Sequence, residues 1–222
     1  MRLLLFFLSF AAYSLHAGPI GLNGFSPSAT LITFDDVTGG NCNLCGPSVV
    51  NQYSGLGVVF NNPSFPGQET ADTNLTYGIP NASPVNALFV QQAGGQTGVL
   101  PFQILFSSPM TKVGFDFGSS SDSFLELDAY DKNNTLIEML TFVGESTAIG
   151  AGGFAGIAEA GGIQRLDVSY HPFFNPSHDY NFSIDNLIFE TVPEPSTIAL
   201  CALGLVSLVL GLKRAPHCQK SL

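Results

Sequence analysis

The chain has no tryptophan among its 222 residues, and only seven lysines and arginines stand against seventeen aspartates and glutamates. The missing tryptophan removes the ring best suited to stacking on sugars and cations. The shortage of cations excludes more. Between residues 18 and 196 the only cationic side chains are Lys112, Lys132 and Arg165, while all seventeen acids lie in that stretch, a formal charge of −14. Nucleic acid is excluded as a partner, and so is an anionic membrane surface, because no basic footprint exists to neutralise phosphates. An acidic surface of this kind favours solubility and divalent cations. G-x-S-x-G, H-E-x-x-H and a glycine loop leading into Lys-Ser/Thr are also missing, so no nucleophile elbow, zinc protease or phosphate cradle is written in the chain.

Glycine (24), phenylalanine (19) and proline (14) are abundant, and charged residues make up only 11%. That balance is too apolar for a disordered polymer. Short apolar runs recur between turn-forming residues: TLITF (30–34), GLGVVF (55–60), LPFQILF (100–106), KVGFDFG (112–118), FLELDAYD (124–131), TLIEMLTFV (135–143), IQRLDVSY (163–170) and FSIDNLIFE (182–190). In FLELDAYD the alternation sends Phe124, Glu126, Asp128 and Tyr130 to one side and Leu125, Leu127 and Ala129 to the other, the period of a half-buried strand. DKNN (131–134) between two such runs is a hairpin turn. The pattern predicts an all-β fold, an antiparallel β-sandwich of jelly-roll type with eight or nine strands. The alternation nominates Leu31, Phe60, Phe106, Phe115, Phe117, Leu127, Leu166, Leu187 and Phe189 for its core. GAGGFAG (150–156), with no helix signal after it, reads as a flexible connection.

The two ends differ from this middle. At the start, Arg2 precedes an apolar run over residues 3–12, and Ala17 closes a small-residue site before Gly18-Pro19. This is the layout of a signal peptide over residues 1–17, leaving an exported domain over 18–191. At the other end, residues 197–212 carry no charge and are followed by Lys213-Arg214. Sixteen helical residues reach about 24 Å, slightly short of a bilayer core, which tilt and snorkelling of Lys213 accommodate. The expectation is a single transmembrane helix with its basic end in the cytoplasm and the main domain outside the inner membrane.

Just before that helix stand Val192, Pro193, Glu194, Pro195 and Ser196. Triplet, apolar helix and basic pair, in that order over residues 192–222, resemble the PEP-CTERM sorting signal of Gram-negative bacteria. The resemblance implies recognition at Pro193, Glu194 and Pro195 by an exosortase, an integral-membrane protease or transpeptidase. It also implies release to the cell surface or extracellular matrix, and association with exopolysaccharide and biofilm. The prolines have a physical use there: they hold the backbone extended and accessible beside the membrane. The spacing of strands across residues 31–190 is similar to uncharacterised β-sandwich domains that precede this signal, which look like carbohydrate-binding jelly rolls.

Candidate chemistry is sparse. Asp35 and Asp36 follow the first strand, while Asp185 and Asn186 lie in the last. If those strands are neighbours, their oxygens and the Gly39-Gly40 backbone form a candidate calcium site, the alternative being Asx-turn chemistry. Cys42 and Cys45, two residues apart in an exported domain, are candidates for a small disulfide, with free thiols as the alternative. His171, His178 and Asp179 carry zinc-type ligands at a spacing that fits no zinc motif, and a solvated loop is the plainer reading. Three functions follow: a non-catalytic surface or matrix protein that binds exopolysaccharide, a secreted glycosidase drawing on Glu126, Asp128, Glu138 or Glu145, and a calcium-dependent adhesin.

Overall fold

The computed structural model describes residues 17–40, 45–72, 79–83, 86–92, 100–119, 123–147, 150–172 and 180–191. All belong to one compact unit, Met1–Thr191; a second unit, Val192–Leu222, contains the expected transmembrane helix and Pro193, Glu194 and Pro195, and lies outside the described residues. The expected signal peptide lies outside them too, apart from Ala17. No helix among the described residues is long and apolar enough to cross a membrane.

Eleven strands form: β1 (Gly18–Pro19), β2 (Thr30–Ile32), β3 (Val58–Asn61), β4 (Glu69–Asp72), β5 (Ala87–Gln92), β6 (Phe102–Ser119), β7 (Ser123–Tyr130), β8 (Leu136–Val143), β9 (Glu145–Thr147), β10 (Gly150–Pro172) and β11 (Tyr180–Thr191). They pair in the order β4-β5-β11-β6-β10-β7-β8, with β1, β2, β3 and β9 attached at the sides, and every strand pair is antiparallel. The two long strands make this sheet a sandwich. The first part of β6 pairs with β3, its last part pairs with β11, and β10 accompanies it throughout with register shifts between Ala158 and Arg165. One layer is therefore β3-β6-β10-β7-β8 and the other β4-β5-β11-β6-β10, with the long strands bending from one to the other.

Inward-facing side chains of both layers meet in a single core. Phe102 of the first layer lies edge-on to Phe182 of the second at 6.2 Å, and Phe106 meets Phe189 at 5.7 Å. Phe60, Phe106, Phe115, Phe117, Leu127, Leu166, Leu187 and Phe189 are all buried, as expected. Leu31 is not: it is 51% exposed while its neighbour Ile32 is 3% exposed. Ile32 sits opposite buried Leu187, so the inward phase of β2 carries Ile32, with buried Phe34 just beyond it, and Leu31 takes the outer side.

The glycine-rich run 150–156 also departs from expectation. It is not a connection but the start of the longest strand, paired with β6 from Ala151–Ser119 to Ala158–Lys112. A Cβ on Gly156 would stand 2.7 Å from the Ile20 carbonyl oxygen, and one on Gly114 would stand 2.6 Å from the Phe154 ring. The glycines are there so that Phe154 and the N-terminal segment can lie directly on the strand.

The hairpin at 131–134 forms as its residues suggest. Asp131 Oδ1 accepts the backbone N–H of Asn133 and of Thr135, each at 2.8 Å, and Asn134 takes the left-handed conformation at φ 64°.

Candidate functional site

The strand registers arrange side chains in rows on the outer face of the first layer. Asn61, Gln103, Asp167, Asp128 and Met139 lie side by side across β3, β6, β10, β7 and β8. Beside that row stand Ser169, Glu126 and Thr141, then His171, Phe124 and Val143; on its other side are Arg165 and Tyr130. Each has the parity opposite to the buried set Leu125, Leu127, Ala129, Leu166 and Val168.

These side chains are linked. Asn61 Nδ2 donates to Gln103 Oε1 at 2.7 Å, and Gln103 Nε2 donates to Asp167 Oδ1 at 3.1 Å. The same oxygen lies 2.8 Å from Arg165 Nε, so the nearly buried Asp167 carboxylate is paired. Burial still raises its pKa, with Arg165 opposing. The Arg165 guanidinium lies 3.8 Å over the Tyr130 ring and bonds Asn134 in the hairpin turn. His171 stacks on Phe124 at 4.7 Å, with Nε2 3.7 Å from Glu126, too long for a hydrogen bond.

His171 Nε2 and, its ion pair apart, Arg165 Nε are buried without a hydrogen-bond partner, and so is Asp128 Oδ1. Burial raises the Asp128 pKa, Glu126 and Asp167 raise it further, and His171 and Arg165 pull the other way. Both aromatic rings of this face are capped, Tyr130 by Arg165 and Phe124 by His171. The face therefore offers hydrogen bonds rather than a stacking platform. The four acids nominated for a glycosidase are spread over β7, β8 and β9. Glu126 and Asp128 stand next but one on a single strand of an open face, and Glu145 lies elsewhere, on the rim of a 440 Å³ cleft lined by Pro80, Phe142 and Phe154. Glu138 pairs across from Ala129, on the inward parity.

The four residues nominated for calcium do come together, the three aspartates as hydrogen-bond acceptors and Asn186 as a donor. Asp185 Oδ2 accepts Ser83 N–H at 2.6 Å and its Oδ1 accepts Asn186 N–H at 2.7 Å; Asp35 Oδ1 accepts Asn86 N–H at 2.9 Å; Asp36 Oδ1 accepts the Tyr53 hydroxyl at 2.5 Å. Burial pushes Asp185 up to about 6, and burial with the Asp36 hydrogen bond pushes the Tyr53 phenol upward. Asn186 Nδ2 donates to the Asn81 carbonyl at 2.8 Å and to Asp116 Oδ2 at 2.9 Å. Phe34, Asn81 and Asn186 all take left-handed backbone here, at φ 62°, 61° and 50°; for a buried phenylalanine that is strained. Two buried oxygens in this cluster have no partner: Asp116 Oδ1 and Asn86 Oδ1. Among the described residues no group of three His, Cys, Asp or Glu side chains is arranged to hold a metal ion.

Cys45 is disulfide-bonded, and Cys42, its expected partner, lies outside the described residues. His178 and Asp179 lie outside them as well, and His171 faces Phe124. Sequence reasoning missed Asp116, Asn86, Gln103 and Asn61. Asp116 had a visible signal, a carboxylate set between two phenylalanines in a strand.

No family model matches the chain, and no curated protein matches it. Among solved structures it is similar to a family 6 carbohydrate-binding module, at 10% identity over 73% of this chain and 93% of that one, with a TM-score of 0.35. The K3 cleaved adhesin domain of Lys-gingipain from Porphyromonas gingivalis matches at 8% identity, covering 73% and 98%, with a TM-score of 0.39. The enzymatically active domain of bacteriophage CBA120 tailspike protein 4 matches at 10% identity and a TM-score of 0.38; the match covers 65% of this chain, which spans about a fifth (21%) of that one.

Proposed function

We propose that the chain is an exported, non-catalytic protein of the cell surface or extracellular matrix whose sandwich binds polysaccharide through the outer face of its first layer. The observation that carries this reading is Asp128 Oδ1, a desolvated acceptor with no partner, in a row of amide and carboxylate groups with the Arg165 guanidinium beside it. Leaving such an acceptor unmet costs about 1–3 kcal/mol; Oδ1 is closed to solvent, so a sugar hydroxyl would meet it by displacing a neighbouring side chain of the face. The acidity of the chain favours a neutral glycan over an acidic one. A glycan array with the purified protein, followed by reducing-end analysis of each bound oligosaccharide, tests the reading. Binding without chain cleavage supports it; released reducing ends replace it with a glycosidase.

The address is part of the proposal. Residues 1–17 direct export, the helix at 197–212 holds the precursor in the inner membrane, and an exosortase-type enzyme acts at Pro193-Glu194-Pro195, placing the domain with exopolysaccharide in a biofilm.

A second reading rests on Asp116 Oδ1 and Asn86 Oδ1. With Asp35, Asp36, Asp185 and Asn186 around them, they supply the hard oxygen ligands calcium prefers, and two of them lack other partners. Calcium bound there would tie the ends of β2 and β11 together and make adhesion sensitive to EDTA.

A further inference from the structure

We infer that the outer edge of β8 is a self-association surface, on which a second copy of the chain adds its own β8 antiparallel, through a two-fold axis at Thr141. This does not depend on the sugar reading.

The other edges of the sheet are covered or short. The free side of β4 is occupied by the segment before it, with Val49 N–H donating to the Glu69 carbonyl at 2.7 Å and Gly40 N–H to the Ala71 carbonyl at 2.9 Å. The free side of β3 is met in the same way by Val50 and Tyr53. β1, β2 and β9 are two or three residues long. β8 runs for eight residues, ends the strand order, and pairs only with β7; among the described residues no backbone hydrogen bond reaches its other side. Eight residues of edge without a strand partner among the described residues, about 27 Å, turn alternate N–H and C=O groups outward.

Natural sheets guard such edges with lysine, proline, bulges or inward-pointing charge. β8 contains no lysine, arginine or proline; two such guards stand near its start, the inward parity of Glu138 and a register shift opposite Ala129 and Tyr130, and none from Met139 to Val143. It carries instead three of the seven large hydrophobic side chains exposed among the described residues: Leu136 at 48%, Met139 at 51% and Val143 at 68%. The sequence is also complementary to itself. In the antiparallel register centred on Thr141, Met139 faces Val143 of the second copy, Leu140 faces Phe142, Glu138 faces Gly144, and Thr141 faces its own counterpart. No charge opposes a like charge, a pairing that would destabilise the edge. Two-fold, isologous contacts of this kind are the commonest way in which identical chains associate.

The geometry has a functional consequence. Opposed residues of an antiparallel pair share a face, so the Asn61–Gln103–Asp167–Asp128 rows of the two copies would lie on the same side of one ten-stranded layer. A polymer lying along that surface would meet both copies, with the gain in avidity that linkage brings.

The test uses the full chain in detergent at about 1 to 100 μM, read by light scattering and native mass spectrometry. Thr141 is exposed, so Thr141→Lys and Thr141→Glu should fold as the parent does. The parent should dimerise, and each variant alone should dimerise at least tenfold more weakly, because like charges meet at the axis. An equimolar mixture of the two should form a heterodimer as tight as the parent dimer or tighter. A structural defect would not be rescued by mixing. A parent that stays monomeric across the range, variants that dimerise as well as the parent, or a mixture of folded variants that stays monomeric would each overturn the inference.

Discussion

Replacing Asp185 with asparagine should remove much of the pH dependence of the protein's stability, and the size of the effect follows from the site. Asp185 is fully buried and its pKa is raised by burial to about 6 from a reference of 3.8. A group whose folded pKa lies above its unfolded value favours folding below the unfolded pKa, and that advantage is lost as pH rises through the folded value. A rise of about two pKa units is worth about 3 kcal/mol, of which about 2 kcal/mol falls between pH 4.5 and 7.5. Asp116, Glu69, Asp128 and Asp167 are also shifted upward by burial and act in the same direction, outnumbering Asp131 and Glu190, which are shifted downward and act against them. Urea unfolding of the EDTA-treated protein should therefore give higher stability at pH 4.5 than at pH 7.5, and Asp185→Asn should reduce that difference by about 2 kcal/mol. The amide also weakens one of the bonds from Ser83 and Asn186, so the difference between the two pH values, rather than either value alone, is the quantity to compare. Adding calcium should reverse the slope if the second reading holds, because the metal favours the ionised carboxylates. Stability that rises with pH in EDTA, or a slope unchanged by Asp185→Asn, would refute the reasoning.

Arg165→Met should cost about 3 kcal/mol in chemical denaturation, since it strands the nearly buried Asp167 carboxylate without a cation, and Asp167→Asn added to it should recover part of the loss. Gly156→Ala should cost about 1–3 kcal/mol, because its Cβ would press on the Ile20 carbonyl across a backbone contact that cannot move aside cheaply; unchanged thermal unfolding would contradict the account of the glycine-rich strand. Mass spectrometry of the protein from its native cell should find a surface form ending near Pro195, whereas an intact chain reaching Leu222 in the inner membrane would rule out sorting at the proline triplet. Glu194→Ala should make the precursor accumulate in that membrane.

Local chemistry is what the sequence revealed well. In FLELDAYD the alternation separated the buried Leu125, Leu127 and Ala129 from the outward Glu126 and Asp128, and the Asp131 turn formed where its side chain can bond its own backbone. Long-range register was not legible. The polar row depends on Gln103 standing beside Asp167 and Asp167 beside Asp128, and nothing local to those residues encodes which strands become neighbours. The same holds for Asp116. Its place in an alternating strand points outward, yet the hydrogen bonds of Asn81, Ser83 and Asn86 lay their segment over that side and leave the carboxylate 2% exposed. Two runs read as separate strands, 100–106 and 112–118, proved to be one. Ser107, Ser108 and Pro109 fall in the unpaired stretch between Leu105 and Met110 in the ladder with β10, where the strand passes from one layer to the other. A proline there gives up no ladder donor.

The central claim is that the outer face of the first layer binds polysaccharide through hydrogen bonds centred on Asp128. Calorimetric titration of the purified protein with neutral oligosaccharides, in parallel with Asp128→Ala and Gln103→Ala, tests it most directly. The account expects at least one glycan to bind the parent without being cleaved, and expects each variant to bind it at least about tenfold more weakly while still unfolding in one cooperative transition, the loss of one hydrogen bond to a charged group being about 1.5–3 kcal/mol. A glycan that binds the parent and both variants equally would contradict it.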